Sequence, residues 1–234
     1  AKEHPAPAPA EFVQLIAQGL SDGAPDSQQG ALSAIASYSG VLHPPTPASF
    51  AMWQTYRDVM VGFRKQVEGL LLDQDQNTRH AALVAFGALN TRPGENAWVM
   101  DFDEAAMQTW SEVFHRDPSA IMRSEVVKLA WMCKCRDSVG EKRKQLLREA
   151  IYDTDAGVLQ YAIRGAADLK ISDMLDSVVR LLKHEDDGLR QNAATAVAMF
   201  GPEARRYDSE IREALAKETR EEVRSLLRST LPVE

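Results

Sequence analysis

The sequence predicts an all-α protein, a right-handed α-solenoid of about six stacked helix pairs. Three observations predict this fold. One turn-and-helix pattern returns along the chain, apolar residues recur with helical periodicity inside each copy, and alternating runs of Val, Ile and Thr typical of strands are absent. With 44% hydrophobic and 26% charged residues, the composition is ordinary for a protein with a packed core.

The repeated unit consists of an apolar helix end, an acidic turn and an amphipathic helix that opens beside an anchor position. Four full copies run over 70–89, 113–133, 150–169 and 181–200, and a shorter copy follows near the end of the chain. The anchors are Arg79, Arg123, Leu159, Arg190 and Arg224, at intervals of 44, 36, 31 and 34 residues. Such intervals fit a repeat of two helices joined by loops of variable length.

We predict a flexible Pro/Ala leader at 1–8 and a single repeat domain at 9–234. An earlier copy has Asp22 in its turn and Gln28 at its anchor, and a Pro-rich insert at 42–47 separates it from the next. The predicted repeats cover residues 9–40, 50–91, 102–135, 140–170, 172–201 and 203–231.

Each second helix has one apolar face. Counted from the anchor, offsets −1, +3, +6, +7 and +10 are apolar or small in every full copy, as Ala82, Ala85 and Phe86 illustrate. This spacing is that of an amphipathic helix. Small residues at +3 and +6 predict a close approach between neighbouring helices.

The pattern Leu-Leu-x-Asp-x-Asp/Pro-x-x-Val-Arg-x-x-Ala resembles the HEAT repeat, in the shorter bacterial form also seen in phycobilisome-lyase-type HEAT-like proteins. The resemblance covers roughly residues 60–230. It implies a ladder of aspartate and arginine along the turns, with Asp73 and Asp117 near Arg79, Arg123 and Arg190. Because Leu159 replaces one arginine and His184 stands in place of one aspartate, the ladder is interrupted there. We interpret it as structural support.

The sequence lacks the residue motifs that are typical of catalytic, metal-binding and phosphate-binding sites. His184-Glu185 has the order of metal-binding pairs in some HEAT-repeat hydroxylases, but no other histidine is followed by glutamate. There is no Gly-x-Ser-x-Gly elbow and no glycine-rich phosphate loop. We therefore expect no catalytic residue, no cofactor and no metal, and predict that the chain is not an enzyme.

A nucleic-acid-binding function is the main alternative, because some bacterial alkylpurine-DNA glycosylases are built from HEAT-like repeats. The chain has a basic cluster, yet Glu141 and Glu149 interleave with it, and the net charge is −7. Trp131 lies near Asp137 without the flanking pattern of that family. The cluster consists of Lys134, Arg136, Lys142, Arg143, Lys144 and Arg148.

A protein-interaction scaffold is the function that we predict first, and a chromophore-lyase-type chaperone subunit is a third possibility. In HEAT-like solenoids the stripe at offsets +1, +5 and +8 of the second helices faces a concave groove. Trp131, between two cations, has the composition of an interface hot spot, and its alternative place is the core. The groove residues are His80, Val84, Ser124, Lys128, Trp131, Gln160, Arg164, Gln191 and Thr195.

The sequence gives only weak indications of the cellular location and of whether the two cysteines are oxidised. A first residue other than Met and a Pro/Ala leader favour an exported or periplasmic protein; otherwise it is cytoplasmic. Cys133 and Cys135 lie two apart in a predicted helix, where their side chains diverge, so we expect free thiols. No apolar run approaches the ~18 residues of a membrane span. The oligomeric state is left open.

Overall fold

The computed structural model describes residues 10–39, 47–93, 98–100, 102–133 and 137–231. The predicted leader at 1–8 lies outside these residues, as does most of the Pro-rich insert. The helices described are α1 (Ala10–Ser21), α2 (Pro25–Ser39), α3 (Pro47–Val61), α4 (Arg64–Leu70), α5 (Gln76–Leu89), α6 (Glu104–Arg116), α7 (Ala120–Met132), α8 (Asp137–Ala150), α9 (Ala156–Asp168), α10 (Leu175–Arg180), α11 (Asp187–Phe200), α12 (Asp208–Lys217) and α13 (Glu221–Thr230).

The helices alternate as first and second members of six pairs, which confirms the all-α repeat fold. The second helices are α2, α5, α7, α9, α11 and α13, and the first helix of the second pair is divided into α3 and α4. Short 3₁₀ helices at 172–174, 181–183 and 201–207 extend the first helices of the last two pairs. Gly201 ends α11 with φ of +62°, the left-handed backbone that glycine tolerates best.

A two-stranded antiparallel ribbon interrupts the helices, which the sequence did not predict. Strand β1 (Thr91–Pro93) pairs with β2 (Trp98–Met100), and Thr91 lies opposite Met100. Each strand has three residues, too few for an alternating pattern to be recognised in the sequence.

The chain divides into two compact units. The first comprises Ala1–Met122 and Cys133–Val139, and the second comprises Arg123–Met132 and Gly140–Glu234. In the first unit α2 packs on α1 and α5, and in the second unit α11 packs between α9 and α13. The single domain at 9–234 and its repeat boundaries remain predictions.

The predicted apolar face of the second helices forms the core. All of its positions in the four full copies are buried except Leu129 and Leu169, which are half-buried. Gly165 shows why small residues recur there, because a Cβ at this position would lie 2.8 Å from the side chain of Leu147. A larger residue at this position would therefore displace the buried side chain of Leu147 where α8 and α9 approach closely.

The turns before α5, α9 and α11 are closed by hydrogen bonds to their own side chains. Asp73 and Asp153 each accept a hydrogen bond from the backbone N–H two residues later, at 2.8 and 2.9 Å. Asp75 and Asp155 then cap α5 and α9 by accepting from the N–H groups of the first helical turn. His184 takes the same part as Asp73 in its turn, since its Nδ1 accepts from the backbone N–H of Asp186 at 3.0 Å.

The arginines at the anchors join consecutive turns. In the first unit, the Nε of Arg79 donates to Asp117 at 2.6 Å, and its Nη1 donates to the backbone carbonyls of Asp73 and Gln74. We call such a link, from an anchor arginine to the acid of the following turn, a rung. Two rungs lie in the second unit, from Arg123 to Asp153 at 2.7 Å and from Arg190 to Glu218 at 2.8 Å.

One rung is replaced by other residues, as the resemblance implied. Leu159 occupies the arginine position and His184 the acid position of the same rung, and Leu159 is buried. In the first copy the contact to the next turn comes from Gln29, whose Nε2 donates to Asp75 at 3.1 Å. The predicted anchor Gln28 is instead buried beside it.

The prediction of two free thiols is wrong for Cys133, which is disulfide-bonded. Helical side chains two residues apart diverge only where a helix continues through both cysteines, and α7 ends at Met132, before the first of them. Cys135 lies outside the described residues. Among the described helices, none combines the length and apolarity that crossing a membrane requires.

We predict that Arg79→Ala lowers the free energy of unfolding by about 3–5 kcal/mol, because it leaves the fully buried carboxylate of Asp117 without its counter-charge. Arg180→Ala is the control. The exposed pair of Arg180 with Asp176 should contribute ~0.5 kcal/mol or less. Urea unfolding followed by circular dichroism measures both, and equal small losses would contradict a structural role for the rung.

We also predict a loss of stability in acid that depends on Glu218. The hydrogen bond from Arg190 lowers the pKa of Glu218 from 4.5 to about 2. The unfolded chain therefore takes up this proton at a higher pH than the folded chain, so the stabilisation is present above pH 4.5 and is lost as the pH falls toward 2.

Glu218→Gln should flatten the pH dependence of the unfolding free energy in this window. Glu213→Gln is the comparison, because the half-exposed carboxylate of Glu213 is screened by solvent. The same acid dependence in wild type and Glu218→Gln would show that this rung does not respond to pH.

Candidate functional site

A surface cavity of about 520 Å³ lies in the second unit, and we call it the groove cavity. Its lining comes from α7, α9 and α11, the second helices of three consecutive pairs. Its volume falls within the 300–1,000 Å³ of typical ligand sites. The lining that matters below is Trp131, Arg164, Asp168, Gln191, Asn192, Thr195 and Met199.

Trp131 is half-buried at one wall of the groove cavity. Its indole Nε1 donates a hydrogen bond of 2.6 Å to the carboxylate of Asp168, and its ring stacks on that of Tyr161 with centroids 6.0 Å apart. The guanidinium of Arg164 lies over the ring at 5.7 Å. These three contacts hold the indole in one orientation, outside the hydrophobic core.

Two arginines contact neighbouring amides of α11. The Nε of Arg164 donates to the side-chain oxygen of Asn192 at 3.3 Å. From the other side, Nη2 of Arg220 donates to the side-chain oxygen of Gln191 at 3.0 Å. The side-chain amide oxygens of Asn192 and Gln191 on α11 therefore each orient one guanidinium.

The predicted groove residues divide into two sets. Four of them, Trp131, Arg164, Gln191 and Thr195, line the groove cavity together. The other five do not line it. His80 and Val84 are exposed on α5 in the first unit, Lys128 is paired with Glu125 at 3.1 Å, and Ser124 and Gln160 are half-buried on α7 and α9.

The predicted stripe was too narrow. Offset +8 is buried in α5 and α9, where it holds Gly87 and Ala167, although it holds Trp131 in α7. Ala167 nevertheless lines the cavity, together with Asn192 at offset +2 and Asp168 at offset +9, which were missed. Including the flanking helical positions would have found both. Arg220 precedes α13, and no helical periodicity points to it.

The basic cluster considered for nucleic acid is largely matched within the chain. Lys144 pairs with Glu141 at 2.7 Å and Arg148 pairs with Asp173 at 2.8 Å. Arg143 donates to the backbone carbonyl of Trp131 at 2.8 Å, and burial lowers the pKa of its guanidinium. Lys134 and Arg136 lie outside the described residues. The described cations therefore do not form an open row for phosphates.

The described residues hold no group of three or more His, Cys, Asp and Glu side chains that could bind a metal ion. His184 lies beside a smaller cavity of about 280 Å³, next to Lys183, Arg190 and Glu218. These charges already pair with one another or with Glu213.

Comparison with solved structures supports the repeat fold. An engineered protein aligns with 18% identity and a TM-score of 0.55 over 94% of both chains. A computationally designed armadillo repeat protein for modular peptide recognition aligns with 15% identity and a TM-score of 0.58, over 94% of this chain and 98% of that one. A designed armadillo repeat protein in complex with the peptide (KR)4 has a TM-score of 0.57 at 15% identity and the same coverage. At these identities the likeness shows the fold alone.

No curated protein matches the sequence. A family model does match, and it covers the part of the chain that carries the groove cavity on α9 and α11. The resemblance found in the repeats is thereby confirmed: residues 141–231 match the family model described as HEAT repeats.

Proposed function

We propose that this chain is a protein-interaction scaffold that binds an extended segment of a partner protein in the groove cavity of its second unit. The observation that carries the proposal is the meeting of Trp131, Arg164, Gln191 and Thr195 from three different helices around one cavity. Trp and Arg are the side chains most often found at the energetic centre of protein interfaces.

The contacts of Trp131 support a binding role. Its hydrogen bond to Asp168 and its stacking on Tyr161 fix the ring before a partner arrives, so little side-chain entropy is lost on binding. Unmatched polar groups remain around it. Thr195 donates its hydroxyl hydrogen to the backbone of Gln191 at 2.9 Å and keeps an acceptor, and the amide nitrogen of Gln191 remains a donor.

The solved neighbours support the same mode of binding. Two designed armadillo repeat proteins with this fold are described by their recognition of peptides, one of them with (KR)4 bound. We extend peptide binding to this chain as a proposal, and we propose a role without catalysis. Neither a nucleic-acid site nor a chromophore-lyase-type chaperone is favoured by a contact among the residues described.

The proposal is tested by selecting binders from a displayed library of random peptides against the folded chain. Trp131→Ala should weaken the selected peptides by ~2 kcal/mol or more, the scale of an interface anchor. Tyr152→Ala is the matched control, because Tyr152 is 75% exposed and does not line the groove cavity. Isothermal titration calorimetry measures both variants.

Measurements of unfolding free energy show whether Trp131 lies at a binding surface or in the hydrophobic core. Trp110 is fully buried, so Trp110→Ala should cost about 3–5 kcal/mol of unfolding free energy, whereas Trp131→Ala should cost clearly less. If Trp131→Ala were as destabilising as Trp110→Ala and the selected peptides still bound, the groove cavity would not be the binding site.

A further inference from the structure

Arg164 and Arg220 differ from the arginines of the second unit that form ion pairs. Arg123, Arg148, Arg180 and Arg190 each form an ion pair with a carboxylate. Within the part of the chain that the structure describes, the side-chain partners of Arg164 and Arg220 are the amides of Asn192 and Gln191 and the ring of Trp131. An amide oxygen orients a guanidinium but leaves its positive charge unneutralised.

The free edges of these guanidiniums are suited to carboxylates. The Nε of Arg164 donates to Asn192, which leaves both terminal nitrogens able to donate to a ligand. The side chain of Arg164 is exposed and lines the groove cavity. Arg220 is half-exposed, and because its hydrogen bonds to Asp187 and Gln191 use the two terminal nitrogens, its Nε can still donate to a ligand. A planar guanidinium with two free N–H groups on one edge, as in Arg164, can bind a carboxylate through two parallel hydrogen bonds, whereas Arg220 can add a single hydrogen bond from its Nε.

Two carboxylates lie near these arginines, those of Asp187 and Asp168. The carboxylate of Asp187 pairs with Arg190, and Arg220 touches only its backbone carbonyl. Asp168 lines the groove cavity, and one of its oxygens accepts from Trp131. Acidic and basic residues nearly balance in the second unit, so the net charge of −7 comes mostly from the first.

We propose that the segment bound in the groove cavity is acidic, with carboxylates that accept hydrogen bonds from Arg164 in the cavity and from Arg220, which contacts Gln191 of the cavity lining. This inference rests on the proposed function and adds the chemistry of the partner. A peptide fits better than a nucleic acid, because the affinity of a duplex comes mainly from many phosphate contacts. Here one arginine without a carboxylate partner, Arg164, lines the groove cavity, and a second, Arg220, contacts Gln191 of its lining.

The test uses fluorescently labelled peptides and measures anisotropy with the whole chain. The probes are a blocked peptide of alternating Asp and Glu, a neutral peptide with a free C-terminal carboxylate, the basic peptide (KR)4 and a DNA duplex. We expect the blocked acidic peptide to bind most tightly, with an affinity that falls as salt is raised. If the neutral peptide bound most tightly, the arginines would recognise the C-terminal carboxylate of a chain. That result would contradict the proposal that they bind acidic side chains.

Charge variants test the residues. Arg164→Gln and Arg220→Gln should each weaken the acidic peptide about tenfold, as expected for loss of a charge-assisted hydrogen bond. Asp168→Asn keeps an acceptor for Trp131 and removes a negative charge, so it should strengthen binding. Arg180→Gln makes the same charge change at an exposed site that does not line the groove cavity and should have no effect.

The possible failures are distinguishable. If (KR)4 or the duplex binds more tightly than the acidic peptide, or if neither arginine variant weakens it, the acidic partner is excluded. The proposed function survives that result if Trp131→Ala still weakens the binding of peptides selected from the library. If no peptide of any charge binds, and library selection also yields none, both proposals fall together.

Discussion

The rung from an anchor arginine to the acid of the next turn is the interaction on which the rest of the structure depends. Arg79 shows both of its effects, because one nitrogen satisfies the carbonyls of its own turn while two others hold Asp117 of the following turn. Buried polar groups must be paired, so the rung sets the spacing between one turn and the next. The rung from Arg123 to Asp153 links α7 to the turn before α9 in this way, and side chains of both helices line the groove cavity.

The missing rung falls between the two helices that form most of the groove cavity. Leu159 belongs to α9, and His184 precedes α11. At this joint the helices are held by apolar packing and, on the cavity side, by the hydrogen bond from Arg164 to Asn192. The same arginine thus contacts Trp131 and joins α9 to α11.

Much of the fold can be predicted from the local spacing of apolar residues in the sequence. Much of the groove cavity cannot be predicted in this way. The spacing of Ala193, Ala196 and Phe200 on one helical face identifies the core, because burial follows helical periodicity. The ribbon at 91–100 and the end of α7 before Cys133 depend on contacts that no periodicity encodes. Arg220 was missed for the same reason, since its contact with Gln191 arises when α11 and the turn before α13 are packed together. Asn192 was missed because the predicted stripe on α11 was too narrow.

The most direct measurement is the indole N–H spectrum of the isotope-labelled chain during titration with a selected peptide. The four tryptophans give four indole signals, and Trp131→Phe assigns the one of interest. Binding in the groove cavity predicts that the Trp131 signal shifts in proportion to occupancy, while the signal of fully buried Trp110 stays in place. A bound peptide that leaves the Trp131 signal unmoved would contradict the site.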